Sequence, residues 1–213
     1  STTSDISLNG TVTTTEGSIT LSGRDITLVN AVTADSGIDL SSNRVLTLSG
    51  TLTSENSTVS LTSADTVTLA AAITTSGGKV TVTGDEITGT TAASITTTGG
   101  TANPGGAAGE VLVHSTGTGI IALQAGITAN GGAAQSGDNN GGAGGVVTVL
   151  NAAGSVEIAD ITTRGGAAAG TGSAGADGIV QLKASSTITQ RAGSAIDAGS
   201  LKTIAAGNVT LNT

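Results

Sequence analysis

The sequence predicts an all-β fold, a single parallel β-solenoid (β-helix) of triangular section with about eight three-stranded coils spanning residues 1–213. Three observations predict it. A segment of the form aliphatic-Thr-x-x-Gly/Ser recurs along the chain, as one short strand running into a turn. Each recurrence is flanked by two further segments with apolar residues two apart, the period of a half-buried strand. Finally, the early copies return every 20 or 21 residues, too short an interval for three strands to fold back on one another as hairpins. Equivalent strands must then pair between successive coils, in parallel and about 4.8 Å apart, giving a rod roughly 35–40 Å long.

The first strand of each coil is read at Ile6, Ile26, Leu46, Val67, Ile87, Ile121, Val156 and Ile188. The second carries the expected inward ladder Val12, Val32, Leu52, Ile73, Ile95, Ile127, Ile161 and Ile196, with an outward Thr ladder at Thr13, Thr33, Thr53, Thr74, Thr96, Thr128 and Thr162. The third is read at Ile19, Ile38, Val59, Val80, Val111, Val147, Val180 and Val209. Residues 1–86 form short coils of about twenty residues. From 87 to 213 the first-strand spacing rises to 34, 35 and 32. Most of the added length falls between the second and third strands, as Gly99–Glu110, Gly131–Gly145, Gly165–Gly178 and Ser200–Asn208. Insertions that spare the core ladder belong at one corner, so these four loops should project side by side. Their nearly side-chain-free backbones should pair with the loops above and below, in extended or polyproline-like form, as a flat ledge.

Composition narrows the function. The chain has no Phe, Trp, Tyr, Met or Cys, so its interior must be a thin bore of Val, Ile, Leu and Ala rather than an aromatic-rich globular core. Charged residues are only 10% and Gly number 34, which would suggest disorder were the aliphatic residues not so regular. A net charge of −8 argues against nucleic acid and anionic membrane, which need a basic footprint. Absence of Cys removes disulfide and thiolate chemistry. No apolar run is long enough for a membrane-spanning helix. Residues 1–20 lack a signal-peptide pattern, and because the repeat runs from end to end the sequence reads as a mature piece or an excised segment.

The Ile-Thr-Leu and Val-Thr-Leu strands, the Gly-Ser or Gly-Gly corners and the coil of about twenty residues resemble the filamentous haemagglutinin family of secreted bacterial exoproteins and related giant adhesins. The likeness covers the whole chain and rests on repeat style; the family's amino-terminal secretion signature is absent from it. It implies a right-handed coil and a shaft segment of a cell-surface adhesin, placed outside the cell.

Other patterns point to chemistry less strongly. A stacked Thr column is what an ice-binding face would use, but the neighbouring Asp35, Glu55 and Arg164 break it with charge, and Thr suits any exposed strand. Polysaccharide lyases and hydrolases use triangular solenoids with clustered Asp, Lys and Arg plus aromatics. Here Arg24, Arg44, Lys79, Arg164, Lys183, Arg191 and Lys202 read as scattered and no aromatic exists. Asp25 beside Arg24, and the pair Asp85 and Glu86, could serve as acid and base, yet read more simply as solvated turn residues. His114 stands alone, without metal-ligand spacing or a triad. Asp138, Asn139 and Asn140 offer oxygens to Ca²⁺, but the calcium-binding Gly-rich nonapeptide is missing. Gly170–Gly175 matches GxGxxG by letter without the strand and helix a dinucleotide site requires. Asn9, Asn56 and Asn208 open formal glycosylation sequons.

The expected function is therefore a non-enzymatic rod of an adhesin or extracellular fibre, with no cofactor. Expected partners are adjoining coils of a longer chain or identical subunits stacked end to end, and host or matrix glycans. A filament subunit and a polysaccharide-binding module using the Gly-rich ledge are the alternatives, with ice binding and lyase activity last.

Overall fold

In the computed structural model, which describes residues 4–212, the chain winds as a parallel β-solenoid with no helix. Every pairing between strands is parallel and joins a coil to the next. Three columns of strands run along the axis.

The first column pairs in register through Ile6, Ile26, Leu46, Val67, Ile87, Ile121, Val156, Ile188 and Val209. The second runs through Val12, Val32, Leu52, Ile73, Ile95, Ile127, Ile161 and Ile196. The third runs through Ile19, Ile38, Val59, Val80, Val111, Val147, Val180 and Leu201. In the strands Ile19–Leu28 and Ile38–Leu48 the third and first columns merge without a break, so these two columns form one large sheet and the second column its own.

Alternation decides the interior. Apolar side chains at every second position point into the bore, and Leu28, Leu40, Leu48, Leu52, Leu61 and Leu69 are fully buried. Burial falls off at the two ends: Val12 and Ile196 are half-buried and Val209 is exposed. Small polar residues share the bore near the corners. Thr14 and Thr97 donate their hydroxyls to the carbonyls of Gly17 (2.7 Å) and Gly109 (2.8 Å), closing the turn between the second and third columns. At the next corner Ser63 instead donates to a carbonyl of the preceding coil, Arg44 O, at 2.7 Å.

Two expectations are corrected at the C-terminal end. Ser200–Ala205 is a strand, pairing with Ile179–Ala184, and not a fourth inserted loop. Val209 consequently belongs to the first column, against Ile188, and not to the third. The alternation of Ser200–Ala205 is masked in sequence because its inward positions are Leu201, Thr203 and Ala205, only one of them large and apolar. Three loops therefore project from the later coils, not four.

Candidate functional site

The outward surface offers three features: the Thr rank of the second column, a Gly-rich fin built by the three loops, and a sparse set of charges.

Thr13, Thr33, Thr53, Thr74, Thr96, Thr128 and Thr162 occupy equivalent positions of successive strands in an unbroken register. None of their hydroxyls bonds to another protein group among the described residues. The rank ends at Asp197, which pairs with Thr162 in register and whose carboxylate takes the Arg164 guanidinium. That ion pair holds the Arg164 guanidinium above its ordinary range.

The fin is more ordered than a ledge of stacked loops. Each loop has an outbound leg (97–100, 129–132, 163–166) and a return leg (105–109, 141–145, 175–178). Outbound legs bond to one another along the axis, through Thr97 N–H to Thr128 O and Gly99 N–H to Asn130 O, both 2.8 Å, and again through Ala129 N–H to Thr162 O and Gly131 N–H to Arg164 O, both 2.8 Å. Return legs do likewise, as Gly105 to Asn140 O and Ala108 to Ala143 O, both 2.9 Å, and Gly144 to Ala176 O at 2.9 Å. The two layers also bond across. Gly106 N–H donates to Gly100 O (2.9 Å), Gly132 to Gly106 O (2.8 Å), Gly142 to Gly132 O (2.8 Å), Gly166 to Gly142 O (2.8 Å) and Gly175 to Gly166 O (2.9 Å).

That zigzag leaves no room for a side chain at most of its positions, Gly132, Gly142, Gly166 and Gly175 among them. A Cβ on Gly99 would lie 2.0 Å from Gly106 O, on Gly142 1.8 Å from Gly106 O, and on Gly175 1.8 Å from Gly142 O. Glycine here permits close backbone approach. The loops thus form a two-layer lattice rather than a single flat ledge.

Polar side chains clip the fin together. Asn103 Oδ1 accepts the N–H groups of Gln135 (2.8 Å) and Ser136 (2.9 Å) in the next loop. Asp138 Oδ1 accepts Thr171 N–H at 2.9 Å and Asn140 Oδ1 accepts Ser173 N–H at 2.8 Å, again one loop on. The bond from Thr171 holds the Asp138 carboxyl below the usual carboxylate range. Asn139 Nδ2 donates to Ser136 O at 2.7 Å within its own loop. These three residues, read as weak Ca²⁺ candidates, thus sit at the fin tip with Asp138 and Asn140 engaged as clips. Among the described residues no three His, Asp or Glu side chains converge.

The remaining candidates fall into structural positions. Asp85 Oδ1 accepts Gly119 N–H (3.2 Å), serving the next coil's corner. His114 lies outward on the third column between Thr83 and Leu150. The amides of Gly172 and Gly175 donate to Ala169 O (3.0 Å) and Gly166 O (2.9 Å), so the GxGxxG stretch is part of the fin.

Charges follow the axis. Arg24 forks onto Asp5 of the preceding coil (2.8 and 2.7 Å), and Arg44 onto Asp25 in the same way. Each guanidinium holds its aspartate below the ordinary carboxylate range. Lys79 meets Glu110 at 3.0 Å and Arg191 meets Glu157 at 2.7 Å, also between coils. Lys183 and Lys202, which look unrelated in sequence, become neighbours on the third column because Ser200–Ala205 is a strand in register with Ile179–Ala184. The only sequence signal for this strand is the large apolar Leu201 at an inward position. No family model, no curated protein and no solved structure matches this chain.

Proposed function

We propose that the chain is a non-enzymatic structural rod, a segment of a bacterial cell-surface adhesin or extracellular fibre that extends and presents surface for attachment. The observation that carries this reading is the axial hydrogen bonding: strand columns and fin both direct their backbone bonds from one coil to the next. A load along or across the axis is then shared by many bonds at once. Interstrand ion pairs between coils have the same direction. The likeness of the repeat style to filamentous haemagglutinin supports an extracellular setting, as does a surface of Thr, Ser and Gly with few lysines.

Display tests the proposal. The chain is placed between an outer-membrane anchor and a terminal epitope on a non-adherent bacterium. The expected result is a protease-resistant rod that keeps the epitope accessible to antibody, with no turnover of a panel of acidic polysaccharides. Rapid digestion from outside, or release of sugar from any polysaccharide, would overturn it.

A further inference from the structure

We infer that the chain self-associates through a staggered side contact, in which the third-column surface around Lys183 and Lys202 of one copy receives the acidic corner at Asp35 and Glu55 of a second copy. Five of the seven basic side chains are matched to a carboxylate of an adjacent coil: Arg24, Arg44, Lys79, Arg164 and Arg191. Lys183 and Lys202 are exposed and, among the described residues, make no ion pair. Register sets Lys183 beside Ile204 and Lys202 beside Gln181, so the two ammonium groups are diagonal neighbours on one sheet face. They border a shallow depression of about 170 Å³ with Leu150 and Ile204 in its lining. Ile204 is 47% exposed, unusual on a surface made largely of Thr, Ser and Gly.

The other end of the rod carries the complement. Asp35 and Glu55 follow the in-register pair Ala34 and Ser54, so they stack at one corner of successive coils. They border a depression of about 240 Å³ together with Thr13, Thr15 and Thr33. Both are exposed and neither makes an ion pair among the described residues. Like charges on neighbouring strands repel. Lys183 and Lys202 are thus an unneutralised cation pair beside one depression, and Asp35 and Glu55 an unneutralised anion pair beside another, although the other five bases are paired internally. Bringing the two together relieves both repulsions and covers Leu150 and Ile204. The net charge of −8 opposes association at long range, but at physiological ionic strength that repulsion is screened beyond ~8 Å.

Because the two surfaces differ and lie on different coils, a head-to-tail contact is heterologous and adds copies one after another in an open string unless the rotation between them closes a ring. This inference stands apart from where the chain resides and from whether it belongs to an adhesin.

Sedimentation velocity over a concentration series at physiological salt tests it. The wild-type chain is expected to gain weight-average mass with concentration. Lys183→Glu/Lys202→Glu and Asp35→Lys/Glu55→Lys should each weaken association at least about tenfold, and an equimolar mixture of the two should restore it. A wild type that stays monomeric, variants that associate like wild type, or a mixture that stays monomeric would each overturn the inference. Every substituted side chain is exposed, and thermal unfolding of each variant checks that the fold is kept. Should either reversal unfold, Lys183→Gln/Lys202→Gln replaces it, with loss of association expected and retention overturning.

Discussion

The N–H of Gly132 donates to the carbonyl of Gly106 at 2.8 Å, joining the outbound leg of one loop to the return leg of the loop before it. Gly132 in turn accepts from Gly142 at 2.8 Å, and so the zigzag continues across three coils. The lattice is therefore as much a part of the fold as the aliphatic bore, and it depends on missing side chains instead of buried ones.

Gly142→Ala should lower stability by at least about 2 kcal/mol, since its new methyl would meet backbone rather than a movable side chain. The carbonyl of Gly106 lies 1.8 Å from the Cβ position. Gly100→Ala, in the same lattice, meets nothing within 4 Å and should change stability by no more than about 0.5 kcal/mol. Urea midpoints of the two variants check this. Equal losses would show that the lattice is not close-packed.

Two buried threonines at equivalent positions should respond in opposite ways. Thr97 donates its hydroxyl to Gly109 O at 2.8 Å, whereas Thr163 Oγ1 is buried without a partner. Thr97→Val should cost about 1 kcal/mol, and Thr163→Val should be neutral or stabilising because an unsatisfied hydroxyl is removed. Denaturant unfolding of the pair decides it, and a large loss in Thr163→Val would count against the assignment.

Truncation along the bore should grade with burial. Leu52, fully buried mid-rod, should lose about 2–5 kcal/mol as Leu52→Ala. Val209 is 42% exposed, and Val209→Ala should stay within about 0.5 kcal/mol. Comparable losses would mean that the two ends are packed as tightly as the middle.

Acid should destabilise the chain through its inter-coil aspartates. The Arg24 and Arg44 guanidiniums depress the folded carboxyls of Asp5 and Asp25 below their ordinary range, and the Thr171 bond does so for Asp138. A depressed carboxyl contributes stability that is complete above the unfolded value, about 3.9, and is lost as pH falls through the lower folded value. The urea midpoint should therefore be insensitive to these groups near neutrality and drop on acidification below about pH 4. Arg24→Gln/Arg44→Gln should show a shallower drop. An identical acid profile in that variant would remove the ion pairs as its cause.

The regularity of Val12, Val32, Leu52 and Ile73 was legible because alternation and a spacing near twenty residues leave only parallel stacking between coils. Side chains with a strong inside-outside preference announce their own position. The last coil was not legible in the same way: inward Thr203 and Ala205 in Ser200–Ala205 carry little of that preference, so periodicity alone points Val209 to the third column, whereas it pairs in the first. The ordering of the Gly-rich loops could be expected from their shared corner, but not their second layer, because residues without side chains leave no pattern to say which carbonyl each N–H will meet.

The sequence by itself determined the parallel winding, the thin aromatic-free bore and the corner from which the loops leave, all consequences of local periodicity. Only the tertiary structure decided that the loops interlock in two layers, that Asp138 and Asn140 bond to the next loop, and that Lys183 and Lys202 meet on one face. Those relationships join residues some twenty to thirty-five apart, and the register between coils sets them rather than any local preference.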